Sequence, residues 1–232
     1  MNTNPIIALD FRNMDEVMHF LKPFDETLFV KIGMELYMQN GPGIVKQVRE
    51  LGHDIFLDLK LHDIPNTVGQ AMKGLAALDI QMINVHAAGG SKMMTAALDG
   101  LQSGGSQAQL IAVTQLTSTS QGMMNKEQGI PGSINDSIVN YARITQEAGL
   151  AGVVCSANES ALIREALGDT FLKVTPGIRT AEDAAGDQVR VATPEFAKQN
   201  GSTHIVVGRS ITQAENPVEK YHFIKKAWEQ GC

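Results

Sequence analysis

Cysteine is scarce in this sequence of 232 residues, which contains only Cys155 and Cys232. Two thiols so far apart are too few for a disulfide framework or a thiolate metal site, and they favour a reducing compartment such as the cytoplasm. The sequence also lacks an uninterrupted apolar run of about 18 residues, the length that a membrane-spanning helix needs. Its first residues contain no basic segment followed by an apolar one, so we expect neither secretion nor membrane insertion.

Positive charge is in short supply as well. Lysine and arginine together number 19, against 25 aspartates and glutamates, which gives a formal net charge of -6. General binding to nucleic acid or to an anionic membrane needs a basic surface, so we expect neither partner. Hydrophobic residues make up 43% of the chain and charged residues 19%, which is typical of a globular protein with a sizeable core. Any anionic ligand therefore depends on local positive charge.

Short β-branched runs alternate with longer segments of helical period from Ile6 almost to the C-terminus, a pattern typical of repeated strand-helix units. The predicted strands cover residues 6–10, 28–33, 54–61, 82–87, 110–116, 152–156, 172–175 and 205–208. No shift in composition and no Gly/Ser-rich linker separates them, so we predict one α/β domain over residues 1–232, a single (β/α)8 TIM barrel. An open doubly wound sheet is the main alternative, but no G-x-G-x-x-G pattern follows the first strand.

Local signals indicate where some helices begin and where long loops lie. Asn13, with Glu16 three residues later, resembles a capping box at the start of the first helix. The second helix is predicted to begin at Gly41-Pro42-Gly43, where proline suits the first turn. Segments 118–133 and 179–193 interrupt the regular pattern, and we interpret them as loops that contact a ligand at the carboxyl ends of the strands.

Charged residues cluster where several predicted strands end, which is where a TIM barrel carries its active site. Asp10 ends the first strand, Lys31 lies in the second, and the third ends in the segment 58–63. Because side chains alternate along a strand, Asp58 and Lys60 point to one face, which we assign to the barrel interior. Buried opposite charges are costly unless they are paired. We therefore expect an array of ion pairs, although a purely stabilising network is the alternative interpretation.

One lysine of this array, Lys60, is predicted to act as an acid. A lysine held between carboxylates stays protonated and can deliver its proton to a carbon atom. We therefore predict acid catalysis by Lys60. A Schiff-base role is the second possibility, but it needs an apolar or cationic setting, whereas Asp58 and Asp63 favour the charged ammonium.

The segment from Asp58 to Thr67, which reads DLKLHDIPNT, closely resembles the active-site signature of the orotidine 5'-phosphate decarboxylase family. Further segments resemble the same family in the same order, and together they extend over essentially the whole chain. They are residues 7–10, 30–33, 85–90, 116–118, 175–179 and 206–210. Sibling enzymes on the same barrel share the pattern Asp-x-Lys-x-x-Asp, so the longer match is what makes the resemblance specific.

The resemblance implies decarboxylation of orotidine 5'-phosphate to uridine 5'-phosphate (UMP), the last step of de novo UMP synthesis, without a metal or an organic cofactor. Lys60 is then the proton donor to C6 of the pyrimidine, and Asp58 lies beside the substrate carboxylate. The implied charge network alternates Lys31, Asp58, Lys60 and Asp63. The resemblance also implies a homodimer in which Asp63 is supplied by the other subunit.

The same resemblance implies which residues bind the sugar and the base. Asp10 and Lys31 hold ribose hydroxyls, and Thr67 joins them from the partner chain. Thr117 and Ser118 lie near the base.

The phosphate is implied to bind at Gln188, Gly208 and Arg209, with Arg179 at the start of a loop that closes over it. Barrels often bind phosphate just after the eighth strand, and a guanidinium is a bidentate anion ligand, so the position of Arg209 independently favours this role. The full set of implied substrate-binding residues is Asp10, Lys31, Asp58, Leu59, Lys60, Leu61, His62, Asp63, Ile64, Pro65, Asn66, Thr67, Thr117, Arg179, Gln188, Gly208 and Arg209.

Two other functions stay open. One is a metal-dependent decarboxylase or synthase acting on a sugar phosphate, although those siblings place an acidic metal ligand on strand two, where this sequence has Lys31. The other is a non-catalytic nucleotide-binding barrel, against which the intact charged residues argue. His62 and His86 do not occur at a recognised metal-ligand spacing, and we assign them to packing or backbone hydrogen bonding rather than to catalysis.

Overall fold

Eight parallel strands close into a barrel in a computed structural model of the protein, which describes residues 2–180 and 192–231. The strands pair in chain order, and the first strand also pairs with the last. They are β1 (Ile6–Ala8), β2 (Phe29–Gly33), β3 (Asp54–Leu61), β4 (Met82–His86), β5 (Gln109–Val113), β6 (Gly152–Val154), β7 (Leu172–Thr175) and β8 (His204–Val207). The predicted TIM barrel is confirmed.

The described residues form eleven α-helices around this barrel. They are α1 (Met14–Leu21), α2 (Met34–Asn40), α3 (Gly43–Glu50), α4 (Pro65–Leu75), α5 (Gly90–Ser103), α6 (Gln121–Lys126), α7 (Ile134–Glu147), α8 (Ala157–Leu167), α9 (Pro194–Gln199), α10 (Arg209–Thr212) and α11 (Pro217–Gln230). In this described part of the chain, none of them is both long and apolar enough to cross a membrane.

The helix starts agree in part with the sequence. The predicted cap of α1 is confirmed, because Asn13 Oδ1 accepts a hydrogen bond of 3.0 Å from the Glu16 N–H. Helix α2 was not predicted: it follows β2 directly and ends at Gly41, whose φ of 67° suits glycine. The interpretation of 118–133 as a loop throughout was wrong, because α6 forms there and the Ser120 side chain caps its Met123 N–H at 3.2 Å.

Five strands end earlier than predicted, three of them by two or three residues, which places more residues at the rim of the barrel. Strand β1 ends at Ala8 rather than Asp10, and β5 and β6 end at Val113 and Val154. The Leu9 N–H still donates to the Lys31 carbonyl at 3.0 Å, and Asp10 follows at the mouth of the barrel. Side chains beyond the ladder are no longer held by strand pairing, so they can surround a cavity.

The barrel encloses an apolar plug below this rim. Its buried members come from seven strands, and they are Ile6, Ala8, Phe29, Phe56, Met82, Ile111, Val174 and Val206. A larger apolar layer lies between the strands and the helices. Because inward positions recur every second residue, the next inward residues after Phe29 and Phe56 are Lys31 and Asp58. The plug therefore forms the floor on which the charged residues lie.

Candidate active site

A cavity of about 250 Å³ opens at the carboxyl ends of the strands. Ala8, Phe56 and Val206 of the apolar plug contribute to its wall. The predicted site residues that line it are Asp10, Lys31, Asp58, Lys60, Thr117, Arg179, Gly208 and Arg209. Residues far apart in the sequence are thus brought together around one space, where a TIM barrel is expected to bind its ligand.

Asp58 is the centre of the charged array in this cavity. Its Oδ1 lies 2.7 Å from Lys60 Nζ, and its Oδ2 lies 3.4 Å from Lys31 Nζ. Lys31 Nζ is also 3.7 Å from Asp10 Oδ1. The side chains of Asp58 and Lys31 are only 11% and 14% exposed, so solvent screens their attraction weakly. The sequence-based expectation of paired charges at these four positions agrees with this geometry.

The two lysines keep Asp58 ionised despite its burial. Burial is the largest single influence, and by itself it would raise the pKa of this carboxyl. The charges of Lys31 and Lys60 and the hydrogen bonds from Lys60 and Asn84 outweigh it, so the pKa lies below its ordinary value. The cavity therefore presents a carboxylate held between two ammonium groups.

Lys60 has an unusual backbone conformation that directs its side chain toward Asp58. Its φ is 53°, a left-handed conformation that costs a non-glycine residue about 1–2 kcal/mol. Strand β3 bulges here, because Leu57 pairs with Ile83 whereas Leu61 pairs with Val85. Regular alternation of side chains along β3 would place Asp58 and Lys60 on one face. The strand is irregular between Leu57 and Leu61, however, so alternation alone does not describe this segment.

Two polar residues were missed from the sequence: Asn84, which contacts Asp58, and Gln115, which lines the cavity. Asn84 is fully buried on β4 and donates from Nδ2 to Asp58 Oδ1 at 2.7 Å. Gln115 follows β5, lines the cavity, and donates to Gln128 Oε1 at 3.1 Å and to Ser137 Oγ at 3.2 Å. The period of two could have identified Asn84, since it lies two residues after the inward-facing Met82.

Several predicted site residues lie away from the cavity wall. Leu59 is buried in the layer between barrel and helices, and Leu61 packs against that layer. Residues 62–67 are exposed and form the loop and first turn that begin α4. Within this segment, Asp63 Oδ1 accepts a hydrogen bond from the Ile64 N–H at 2.6 Å. Gln188 lies outside the described residues.

Positive charge lies on the opposite side of the cavity, after β7 and β8. Arg179 and Arg209 both line it, which supplies local cations in a chain whose net charge is -6. A Cβ at Gly208 would lie 3.3 Å from Asp10 Oδ2, so glycine allows the chain after β8 to approach β1 closely. The Arg179 N–H donates to the Ala192 carbonyl at 3.0 Å. An anionic group fits this side of the cavity.

Comparison with known proteins identifies the family. A family model described as "Orotidine 5'-phosphate decarboxylase / HUMPS family" matches residues 3–224. The chain belongs to this family. It is 58% identical over 228 residues to the orotidine 5'-phosphate decarboxylase of Staphylococcus aureus strain Newman, a match that covers 98% of this chain and 99% of that protein. The resemblance inferred from the sequence is therefore confirmed.

Solved structures agree with this family assignment. The crystal structure of orotidine 5'-phosphate decarboxylase from Lactobacillus acidophilus matches with a TM-score of 0.88 and 41% identity, covering 98% of this chain and 99% of that one. An uncharacterized conserved protein from Geobacillus kaustophilus matches with a TM-score of 0.87 and 49% identity, covering 96% and 99% of the two chains. The family fold thus extends along nearly the full chain.

Proposed function

We propose that this protein is a carboxy-lyase that converts orotidine 5'-phosphate to UMP and carbon dioxide. The observation that carries the proposal is the pairing of Lys60 with the ionised Asp58, at 2.7 Å, inside the cavity of a member of this family. We further propose that residues 1–232 form one catalytic domain that acts in the cytoplasm, where nucleotide synthesis takes place and free thiols persist.

Lys60 is proposed to supply both charge stabilisation and the proton. Breaking the bond between C6 and the carboxylate leaves an electron pair on C6, where it is poorly delocalised. A nearby ammonium stabilises this developing charge more than it stabilises the substrate, which is what lowers the barrier. Lys60 then transfers a proton to C6, forming the C6–H bond of UMP, and the neutral amine recovers a proton from solvent. Asp58 holds the ammonium in place through its Oδ1.

The remaining cavity residues are proposed to bind the parts of the substrate that do not react. Asp10 and Lys31 would hold ribose hydroxyls, and Thr117 lies where the base would bind. Gly208 and Arg209 would bind the phosphate, together with Gln188 and Arg179. Binding energy from a remote phosphate would favour the closure expected of the loop that begins at Arg179, which excludes water from the reacting carbon. Residues 181–191 of that loop lie outside the described residues.

A homodimer is proposed to complete the site. Asp63 and Thr67 are exposed within one chain and lie away from its cavity wall, which suits residues that act in a neighbouring subunit. Ile64, which follows Asp63 in the chain, is a large apolar side chain that is also exposed, at 66%. Exposed apolar surface next to charged site residues is typical of a subunit interface.

The activity is tested by the ultraviolet absorbance change when purified protein is mixed with orotidine 5'-phosphate, with and without a chelator. Lys60→Ala is the test variant, and Lys46→Ala, which removes an exposed lysine of α3, is the control. We expect conversion that resists the chelator, persists in the control and disappears in Lys60→Ala. Absence of conversion by folded wild-type protein would refute the proposal, and sugar phosphates with added magnesium would then be assayed.

The shared site is tested by mixing the inactive homodimers Lys60→Ala and Asp63→Ala. A hybrid dimer contains one site with both residues intact, so activity should reappear as the subunits exchange. Exchange is monitored separately by mass spectrometry of differently labelled chains. Proven exchange without any return of activity would contradict the proposal that Asp63 crosses the interface.

A further inference from the structure

Asn84 connects the two central residues of the charged array, although the proposed reaction assigns it no role. It lies on β4 with an exposure of 0%. Its Nδ2 donates to Asp58 Oδ1 at 2.7 Å, and its Oδ1 accepts from the Lys60 backbone N–H at 2.8 Å. The Asn84 side chain therefore contacts both the carboxylate of Asp58 and the backbone of Lys60, the predicted proton donor.

The contact with Lys60 is made where the β3 bulge removes regular pairing. Four residue steps on β3, from Leu57 to Leu61, lie opposite two steps on β4, from Ile83 to Val85. The N–H of Lys60, whose φ is 53°, is accepted by the Asn84 side chain instead of a strand carbonyl. A buried N–H without a partner is costly, so this acceptor favours the left-handed conformation that directs Lys60 into the cavity.

The contact with Asp58 orients its carboxylate. Oδ1 receives hydrogen bonds from both Lys60 Nζ and Asn84 Nδ2, each at 2.7 Å, while Oδ2 faces Lys31. Donors on both oxygens hold the plane of the carboxylate. The amide of Asn84 is held as well, because its donor must face Asp58 and its acceptor must face the Lys60 N–H.

We propose that Asn84 is a positioning residue for decarboxylation, which holds the Asp58 carboxylate and the Lys60 backbone in the arrangement that delivers the Lys60 ammonium to the reacting carbon. This inference rests on the proposed function. It requires the amide in particular, since one end must donate and the other must accept. Aspartate, which has nearly the same shape, keeps only the acceptor and adds a negative charge beside Asp58.

The variant Asn84→Asp therefore makes a specific prediction for pH dependence. The titratable and charged groups around this position lie on or directly after β1 to β4, and they are Asp10, Lys31, Asp58, Lys60, His62 and His86. A second carboxylate within hydrogen-bond distance of Asp58 disfavours ionisation of the pair. The acidic limb of the kcat profile should then move to higher pH in Asn84→Asp.

The test compares kcat and KM for orotidine 5'-phosphate, together with the Kd of UMP, in Asn84→Asp, Asn84→Ser and Asn84→Leu. Misplacing a catalytic group by about 1 Å can lower rates about 100-fold, and we expect a fall in kcat of this order in Asn84→Leu. Serine can make one of the two hydrogen bonds, so it should lose less. UMP lacks the carboxylate that reacts, so its Kd should change far less than kcat. Asn200→Asp, which alters an exposed amide bonded to the Phe196 carbonyl, is the control and should match wild type.

The outcomes separate the inference from the function on which it rests. Wild-type protein that is inactive refutes the proposed function. Active wild type with kcat unchanged in the Asn84 variants overturns the positioning role. A parallel loss of kcat and UMP affinity also overturns it, because it indicates general damage to the cavity. If Asn84→Leu does not fold, the positioning role is tested by the pH profile of Asn84→Asp and by the kcat of Asn84→Ser.

Discussion

The attraction between Lys31 and Asp58 should be measurable as a coupling free energy in a double-mutant cycle. The variants are Lys31→Met, Asp58→Asn and the double variant, each of which removes charge while keeping most of the side-chain volume. The Nζ and Oδ2 atoms are 3.4 Å apart. At an effective dielectric constant of about 20, Coulomb's law gives about 5 kcal/mol for two unit charges at this distance.

The measured coupling should be smaller than the Coulomb value, because the neighbouring charges partly replace a lost partner. Lys60 remains 2.7 Å from Asp58, and Asp10 remains 3.7 Å from Lys31. We therefore expect a coupling of about 2 kcal/mol, within the range seen for residues in contact. Each single variant should lower the free energy of unfolding by about 3 kcal/mol, since it leaves the largely buried charge of the other residue without one of its partners.

The assay is urea denaturation at pH 7, low salt and constant protein concentration, followed by circular dichroism. The control cycle uses Arg49 and Asp79, whose atoms are closer, at 2.8 Å, but whose aspartate side chain is 82% exposed. Solvent screening should reduce that coupling to about 0.5 kcal/mol. A Lys31–Asp58 coupling no larger than the control value would refute the conclusion that burial strengthens the array.

Three further predictions concern other parts of the molecule. Burial lowers the pKa of His204 to about 4, so below about pH 6.5 this histidine binds a proton in the unfolded chain but not in the folded one. The free energy of unfolding should therefore fall by about 2 kcal/mol between pH 7 and pH 5. Urea denaturation should show that His204→Gln removes this loss. In α5, a Cβ at Gly100 would lie 2.2 Å from the Gly69 carbonyl oxygen, so Gly100→Ala should destabilise the protein by about 1–3 kcal/mol. In α4, a Cβ at Gly74 would have nothing within 4 Å, so Gly74→Ala should stabilise it by about 0.4–1 kcal/mol. Equal effects of the two variants on the thermal midpoint would contradict this prediction. Arg209→Ala should raise KM for orotidine 5'-phosphate by about tenfold or more, because it removes a charge-assisted hydrogen bond. It should not change the turnover of orotidine, which has no phosphate. An equal loss of activity on both substrates would exclude a phosphate-specific role.

The strands and the inward positions of the charged residues could be predicted because both depend on local periodicity. All eight strands occur where apolar runs indicated them, and the period of two correctly directed Asp58 inward. The start of the first helix, directly after Asn13, could be predicted because its cap needs only a side chain and an N–H three residues away. The family signature extended this prediction to residues such as Thr117 and Arg209, whose positions after β5 and β8 carry little periodic signal.

Other features depended on contacts between distant segments, and local patterns did not reveal them. Helix α2 was not predicted because the proline at position 42 favours a helix start there, whereas the chain already turns helical at Met34, directly after β2. The exposure of Asp63 in a single chain depends on how α4 packs, which no spacing indicates.

By itself, the sequence determined the barrel, the family and the set of charges at its mouth, because strand period, helix caps and signature residues are local properties of the chain. Only the tertiary structure decided how those charges are held. The register shift between β3 and β4 places Asn84 against Asp58 and gives the Lys60 N–H a side-chain acceptor. Such a register is set by pairing between strands more than 20 residues apart in the sequence, and their side chains meet only once β3 and β4 have paired.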